Sequence, residues 1–312
     1  MTMGDPPSLS AIFPFLLRLF SDPAIIRAPA AVRYPLSLYI SLKKLSSIRE
    51  RYRLIGGGSP MNHTTFMQAA LLEKRLNEDG HFRVYIANRY SKPSTAQSYR
   101  LIKKDGIRKL VALPLYPHYS PAITGSSFKA LQDLMAKDAD PPQVRWVKSI
   151  SSDPGYVAAF SAKVSEALES FTPEERKEVN VLFSAHSLPH DFIKAGDPYQ
   201  DEIQKSLELV LKLVRPAHFR LCFQSKGRAG MEWLKPETDA VMRELAAEGV
   251  DNVVLAPISF VSENIETLFD VDILYKKLAA SLGISRFVRA KCMDEDPAFI
   301  DALTRIVLKN LD

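Results

Sequence analysis

The sequence predicts an α/β fold of two doubly wound lobes, each a parallel sheet flanked by helices. Three observations carry this expectation. Short β-branched apolar runs alternate with amphipathic stretches of helical period, the pattern of parallel strands joined by crossover helices. The alternation occurs with similar grammar on both sides of SISSDPGY, residues 149–156, a stretch of turn composition that marks the boundary. The chain has 312 residues, 46% of them hydrophobic and 25% charged, which is enough to bury two cores.

In chain order, the first half offers a strand at 82–90 (FRVYIANRY), a helix at 94–105, a strand at 107–117 (IRKLVALPLYP), a helix at 126–137 and a strand at 143–150 (QVRWVKSI). Each strand ends in polar, Gly or Pro punctuation, as a strand leaving a sheet must. The second half offers strands at 179–183, 218–225 (HFRLCFQS) and 252–261 (NVVLAPISFV), with helices at 198–214 and 238–248 between them. In open parallel sheets ligands bind beyond the carboxyl ends of the strands. Four such ends stand out: NRYSKP, LYPHYSPAITGSS, SAHSLP and SENIETLFD.

Composition excludes several classes. The formal charge of +5 is spread over 41 basic and 36 acidic residues without a Lys/Arg block interleaved with aromatics, so nucleic acid is not an expected partner. The two cysteines, Cys222 and Cys292, show no C-x-x-C spacing; they read as buried small hydrophobes in a reducing compartment, with no framework for an iron–sulfur cluster. The apolar stretch AIFPFLLRLF at 11–20, broken by Pro14 and Arg18, falls short of the roughly 20 apolar residues a bilayer requires. The first ten residues carry Asp5 and no Lys or Arg, so a signal peptide is not expected and the protein is placed in the cytoplasm.

His186, in LFSAHSLP, follows a run that reads as a buried strand. Imidazole there could accept a proton or bind a divalent metal near neutral pH; the alternative is a ring satisfied by a neighbouring carbonyl. Glu263, Glu266 and Asp270 fall at i, i+3 and i+7 of SENIETLFDVDILYKKL, which would stack three carboxylates on one helix face. Such a stripe is either a solvated face or a path of hard oxygen ligands for a metal or of relays for protons. The glycines of RLIGGGSPMN lack phosphate-loop spacing and read as a tight turn against a bulky ligand or another loop. Trp233, in QSKGRAGMEWLKP, is either the wall of an aromatic site or a core residue. His118 is a weaker candidate at a strand end, and His63, His81, His190 and His218 read as structural or exposed.

Taken in order, FLLRLFSDP, RYRLIGGGSP, LYPHYSPAITGSS, LFSAHSLP, GDPY, FQSKGRAGMEWLKP and FVSENIETLFDVD, with an FIDAL tail, resemble ferrochelatase, the enzyme that inserts ferrous iron into a porphyrin. The resemblance implies two Rossmann-like lobes, 1–150 completed by 290–312 and 151–289, with a porphyrin cleft between them. It implies His186 facing the pyrrole nitrogens with Glu266 as its catalytic and metal-binding partner, and Glu263 and Asp270 as a metal or proton path on a π-type helix. Met3, Tyr116, Tyr119 and Trp233 become walls gripping the macrocycle, Arg53 a propionate ligand and Asn264 a polar neighbour of the porphyrin. The 11–20 stretch becomes a lip touching the membrane without spanning it. Iron is then a substrate, and neither a resident cofactor nor an iron–sulfur cluster is expected.

PAITGSS after YPHYS resembles the enzymes that use protoporphyrin. Related readings are a coproporphyrin or cobalt/nickel tetrapyrrole chelatase and a weakly active porphyrin carrier. Three positions depart from the family pattern. Asn264 stands where a His is usual, and Leu54 where animal enzymes carry a second Arg. Met3-Gly4-Asp5-Pro6 aligns with the turn that follows the family's first strand, so that strand is expected to be missing, through a start downstream of the native one or a rearranged lobe edge.

Overall fold

The computed structural model describes residues 1–312 except 79, 226–230 and 312. It divides into two units, Met1–Ser149 with Leu303–Asp312, and Ile150–Ala302.

In the first unit a short helix α1 (Ile12–Phe20) packs on the long α2 (Ala30–Leu54), followed by α3 (Met61–Leu76) and α4 (Thr95–Lys104). Helix α4 starts where its sequence dictates: the Ser94 hydroxyl accepts from Gln97 N–H while the Gln97 side chain accepts from Ser94 N–H, a reciprocal cap. Strands β1 (Lys109–Ala112) and β2 (Gln143–Trp146) pair in parallel, with α5 (Ser126–Met135) between them in the chain. Phe128 of α5 meets Trp146 of β2 edge to face at 4.8 Å over a small core that includes Tyr99, Ala112 and Leu131.

The stretch 82–90 does not form the expected strand. It makes isolated bridges, Asn88 pairing with Thr2 and Ser94; a ladder needs a neighbour along its length, and Thr2 and Met3 bond only the end of this stretch, at Ala87, Arg89 and Tyr90. The expected strands at 107–117 and 143–150 are likewise trimmed to the four residues each that pair with one another.

The second unit holds a four-stranded parallel sheet in the order β4-β3-β5-β6, from β3 (Asn180–His186), β4 (His218–Gln224), β5 (Asn252–Ala256) and β6 (Arg286–Arg289). Strand β3 is central and buried along its length except at His186, as its unbroken apolar run demands. Around the sheet lie α6 (Pro154–Glu169), the short α7 (His190–Lys194), α8 (Tyr199–Val214), α9 (Thr238–Ala247) and α10 (Lys276–Ser281). Asp153 caps α6 ahead of Pro154, accepting from the N–H groups of Gly155 and Tyr156. The core gathers Leu182, Cys222, Met242, Leu245, Val253 and Leu255. Helix α11 (Pro297–Lys309) begins in this unit and ends in the first.

One strand lies outside the sequence reading, and one helix follows the form that the resemblance implied. Strand β6 was not foreseen, its RFVR being too charged to stand out as a buried strand. The helix expected in the stretch 262–278 is a π-helix over Glu266–Tyr275 that turns into α10, and Glu263 precedes it.

Candidate active site

The last residue of β3 is His186, and its surroundings hold it from every side. Its backbone N–H donates to Ser259 Oγ at 2.8 Å and its carbonyl accepts from the Tyr199 hydroxyl at 3.0 Å. Phe260 meets the imidazole edge to face, 6.4 Å between centroids. The ring therefore has one orientation, with Nδ1 2.9 Å from Glu266 Oε2.

Glu266 is placed by Asn264. The buried Asn264 side chain accepts from Glu266 N–H at 2.8 Å through Oδ1 and donates to Ser262 C=O at 2.9 Å through Nδ2. Asn264 thus caps the start of the π-helix, with its amide bonded to the backbone at both ends. The bond it supplies replaces one of the orphan N–H partners that every helix start lacks.

Burial pulls the His186 imidazolium toward deprotonation, but the charge and hydrogen bond of Glu266, with Asp270 behind it, outweigh this and hold the pKa above that of an ordinary histidine. Burial pushes the Glu266 carboxyl up, and the His186 charge and hydrogen bond overcome it and hold the carboxyl below its usual range. Each partner favours the charged form of the other. The pair is a strong proton acceptor with a built-in counter-ion.

The three carboxylates do not form one stripe. Asp270 accepts from the Ser225 hydroxyl at 2.9 Å, on the same side of the π-helix as the His186–Glu266 pair acts. Glu263 belongs elsewhere: it accepts from Arg289 Nη1 at 2.7 Å, from Cys292 N–H at 3.0 Å and from the Thr267 hydroxyl at 2.5 Å. Arg289 also grips Asp272 with two bonds of 2.8 Å, a bidentate clamp. A carboxylate whose lone pairs are taken by a guanidinium and two other donors is a poor metal ligand. Arg289, which sequence reading passed over, lies at the end of the unforeseen β6, and only a correctly placed sixth strand could have pointed to it.

Trp233 is half-buried, and its segment pairs with the turn after His186: Pro189 bridges Trp233, and Leu234 N–H donates to Leu188 C=O at 3.0 Å. The rest of its glycine-containing approach, 226–230, lies outside the described residues.

In the first unit, Met3 accepts from Tyr90 N–H at 2.8 Å and leads into Gly4, whose φ of +69° and whose contact with Ser91 leave no room for a Cβ. One glycine of the triple-glycine turn meets the same loop: a Cβ on Gly58 would lie 2.2 Å from Pro7 O, and Ser59 N–H donates to Pro6 C=O at 2.9 Å, while Gly56 and Gly57 adopt φ of +100° and +96°. Packing against another loop is present at Gly58. Tyr116 is half-buried with its hydroxyl 3.4 Å from Ser127 Oγ, and Tyr119 is half-buried before a π-helical turn, Pro121–Gly125. Arg53 sits at the surface, 60% exposed, in an ion pair with Glu50.

Among the described residues no group of three or more His, Cys, Asp or Glu side chains is arranged to hold a metal ion. The His186–Glu266 pair offers one nitrogen and one carboxylate, a donor set that holds a divalent ion weakly enough to release it.

A family model described as Ferrochelatase matches residues 1–311. A ferrochelatase of Citrifermentans bemidjiense is 42% identical over 308 residues, 98% of this chain and 96% of that one. The chain belongs to the ferrochelatase family. A second ferrochelatase, from Gloeothece citriformis, is 41% identical over the whole of this chain and 81% of its own. Among solved structures, SirB from Bacillus subtilis with Fe3+ superimposes with a TM-score of 0.57 over 78% of this chain and 87% of that one, at 14% identity. The sirohydrochlorin chelatase SirB of the same species in complex with cobalt gives 0.55 over 80% and 89%, at 12% identity. At such identities these two report the fold that this ferrochelatase family member shares with them.

Proposed function

We propose that this ferrochelatase family member is a lyase that inserts ferrous iron into protoporphyrin IX, releasing two protons and giving protohaem, the last step of haem synthesis. The observation that carries the reading is the 2.9 Å contact between His186 Nδ1 and Glu266 Oε2 at the end of a buried strand.

A planar porphyrin binds iron only after two pyrrole N–H protons leave and four nitrogen lone pairs turn toward the metal. The neutral form of His186 takes such a proton, and Glu266 stabilises the imidazolium that results, as a general base with a fixed counter-ion does. Asp270 and Ser225 continue the polar path away from the imidazole. Met3, Tyr116, Tyr119 and Trp233 are read as porphyrin contacts whose dispersion holds the ring bent, and Arg53 as a surface partner for a propionate. Glu263, clamped by Arg289, is read as scaffold for the path rather than part of it. Iron is substrate, and the chain is read as needing no resident cofactor.

Among the described residues no helix is long and apolar enough to cross a membrane. The cytoplasmic reading is kept, and the peripheral lip expected at 11–20 is now read on the face of α2, against which α1 packs. In α1, Ile12 and Leu16 are buried. The exposed apolar side chains are Val32, Tyr34, Leu38, Tyr39 and Leu42 of α2, next to Arg33, Lys43 and Lys44. No Asp or Glu occurs between Asp22 and Glu50. Apolar side chains ringed by cations suit an anionic lipid surface.

The deciding assay follows loss of porphyrin fluorescence on mixing the protein, Fe2+ and protoporphyrin without oxygen. Turnover in the native chain, abolished in His186→Ala with porphyrin binding retained, supports the reading. Binding without turnover in the native chain would leave a porphyrin carrier instead.

A further inference from the structure

Residues Glu266–Tyr275 wind as a π-helix, and Lys276 N–H closes it on Val271 C=O, five residues back. Such winding is rare and seldom exceeds a single turn, so contacts that an α-helix could not make must hold this one.

Two faces of the segment carry polar contacts. One places Glu266 on His186 Nδ1 and Asp270 on Ser225 Oγ. Glu266 and Asp270 are four apart and would share a face in an α-helix as well, so this side is indifferent to the winding. The other face is not. Thr267 Oγ donates to Glu263 Oε2 at 2.5 Å, and Glu263 Oε1 accepts from Arg289 Nη1 at 2.7 Å. Arg289 then returns to the segment, with Nε and Nη2 each donating at 2.8 Å to an oxygen of Asp272. Thr267 and Asp272 are thus joined through Glu263 and one guanidinium. They stand five apart, which is one turn of a π-helix; at the roughly 100° per residue of an α-helix they would lie about 140° apart.

Arg289 is a fixed post for this face. It ends β6 and is 10% exposed. Glu263 is held on the same side, its Oε1 accepting from Cys292 N–H at 3.0 Å and its own N–H donating to Asp294 Oδ1 at 2.9 Å. The segment therefore winds to suit the guanidinium. If it rewound as an α-helix with Asp272 kept on Arg289, Thr267 would leave Glu263, and Glu266 would swing off His186 by roughly a quarter-turn or more.

We propose that Asp272 and Arg289 are positioning residues for proton abstraction: their bidentate pair, with Glu263 and Thr267 as its second foothold, holds 266–275 in π winding and so keeps Glu266 on His186. The proposal rests on the iron-insertion reading of that pair. Both residues act through the backbone of the segment. Asp272 is 39% exposed and leaves Arg289 still paired with Glu263 when it is neutralised, so its effect on turnover should exceed its effect on stability.

The test compares the full-length native chain with Asp272→Asn, Asp272→Glu and a control, Glu248→Gln, which breaks a surface ion pair with Arg220 in the same unit. Crystal structures without porphyrin or iron give the winding of 266–275; steady-state assays give kcat and KM for porphyrin. In Asp272→Asn the segment is expected to rewind toward an α-helix, with kcat lowered about tenfold or more, KM changed less than about twofold, and Tm lowered by no more than about 4 °C. Asp272→Glu should recover part of kcat, and the control should match the native chain. If Asp272→Asn does not fold, Thr267→Val is read in the same way. A π-helix that persists in the variant overturns the proposal, whether or not kcat falls, and so does rewinding that leaves kcat at the native value. The winding is measured without substrates, so a native chain that shows no turnover counts against the iron-insertion reading alone, and rewinding in Asp272→Asn would still support the clamp.

Discussion

Nδ1 of His186 and Oε2 of Glu266 lie 2.9 Å apart although eighty positions separate the two residues in the chain. One ends a buried strand and the other starts a π-helix, and each shifts the protonation of its partner toward the charged form.

The proton-accepting form of His186 is the neutral one, so metal insertion should rise with pH through a midpoint above the ordinary histidine value of about 6.5. Glu266→Gln removes the charge that raises this pKa; the midpoint should move down and the rate at pH 8 fall roughly 10- to 100-fold. Profiles of kcat/KM against pH for both proteins check this, and identical midpoints would detach Glu266 from His186. The same shifts act on stability. The raised histidine stabilises the fold below about pH 6.5 and loses that contribution as pH rises through its folded value; the depressed glutamate contributes above about pH 4.5 and loses it as pH falls. The pair thus helps most between those limits.

Arg289 neutralises Glu263 and Asp272 while itself only 10% exposed. Arg289→Met leaves two carboxylates together in a largely buried place, and should cost about 3 kcal/mol in urea unfolding at pH 7. Adding Glu263→Gln should recover part of the loss. Glu266→Gln, by contrast, should affect turnover more than stability.

Asn264→Ala removes the acceptor that pins Glu266 N–H, at a cost of about 1 kcal/mol, and should lower kcat with little change in KM. Asn264→Asp keeps the acceptor for Glu266 N–H but loses the donor to Ser262 C=O, and should restore part of kcat. A structural role alone predicts no such recovery in turnover.

His118 is 1% exposed, and burial pushes its pKa down to about 3. It stays neutral in the folded chain while the unfolded chain takes up a proton below about pH 6.5, so it makes stability fall as pH drops. Between pH 7 and pH 5 its share is about 2 kcal/mol. Unfolding at both pH values for the native chain and His118→Gln should show that much difference in slope.

The α2 face should bind vesicles containing anionic lipid more than neutral ones, and lose binding as salt rises. Leu38→Glu with Leu42→Glu should abolish co-sedimentation and leave turnover in detergent unchanged.

Local chemistry was legible wherever it acts over a few residues. The unbroken apolar run before His186 announced a buried strand, the helical period of 94–105 announced α4, and the alternation of runs announced the α/β class. RFVR did not announce β6, because its half-buried, charged residues carry no strand period that a reader can separate from a surface loop. Nor could spacing divide the carboxylates, since an i, i+3, i+7 pattern on an α-helix says nothing about a π-helix that starts after Glu263.

By itself, the sequence determined most of the second unit's strands, the alternation of strands and helices and the motifs of the ferrochelatase family, because periodicity and turn residues are encoded by neighbours in the chain. Only the tertiary structure decided which charges meet. Arg289 reaches Glu263 and Glu266 reaches His186 through parallel strand pairing and a widened helical turn, so one carboxylate is neutralised by a guanidinium and the other sustains a base. It also decided that Gly58 packs on Pro7. These depend on contacts between distant segments, whose energies no local pattern carries.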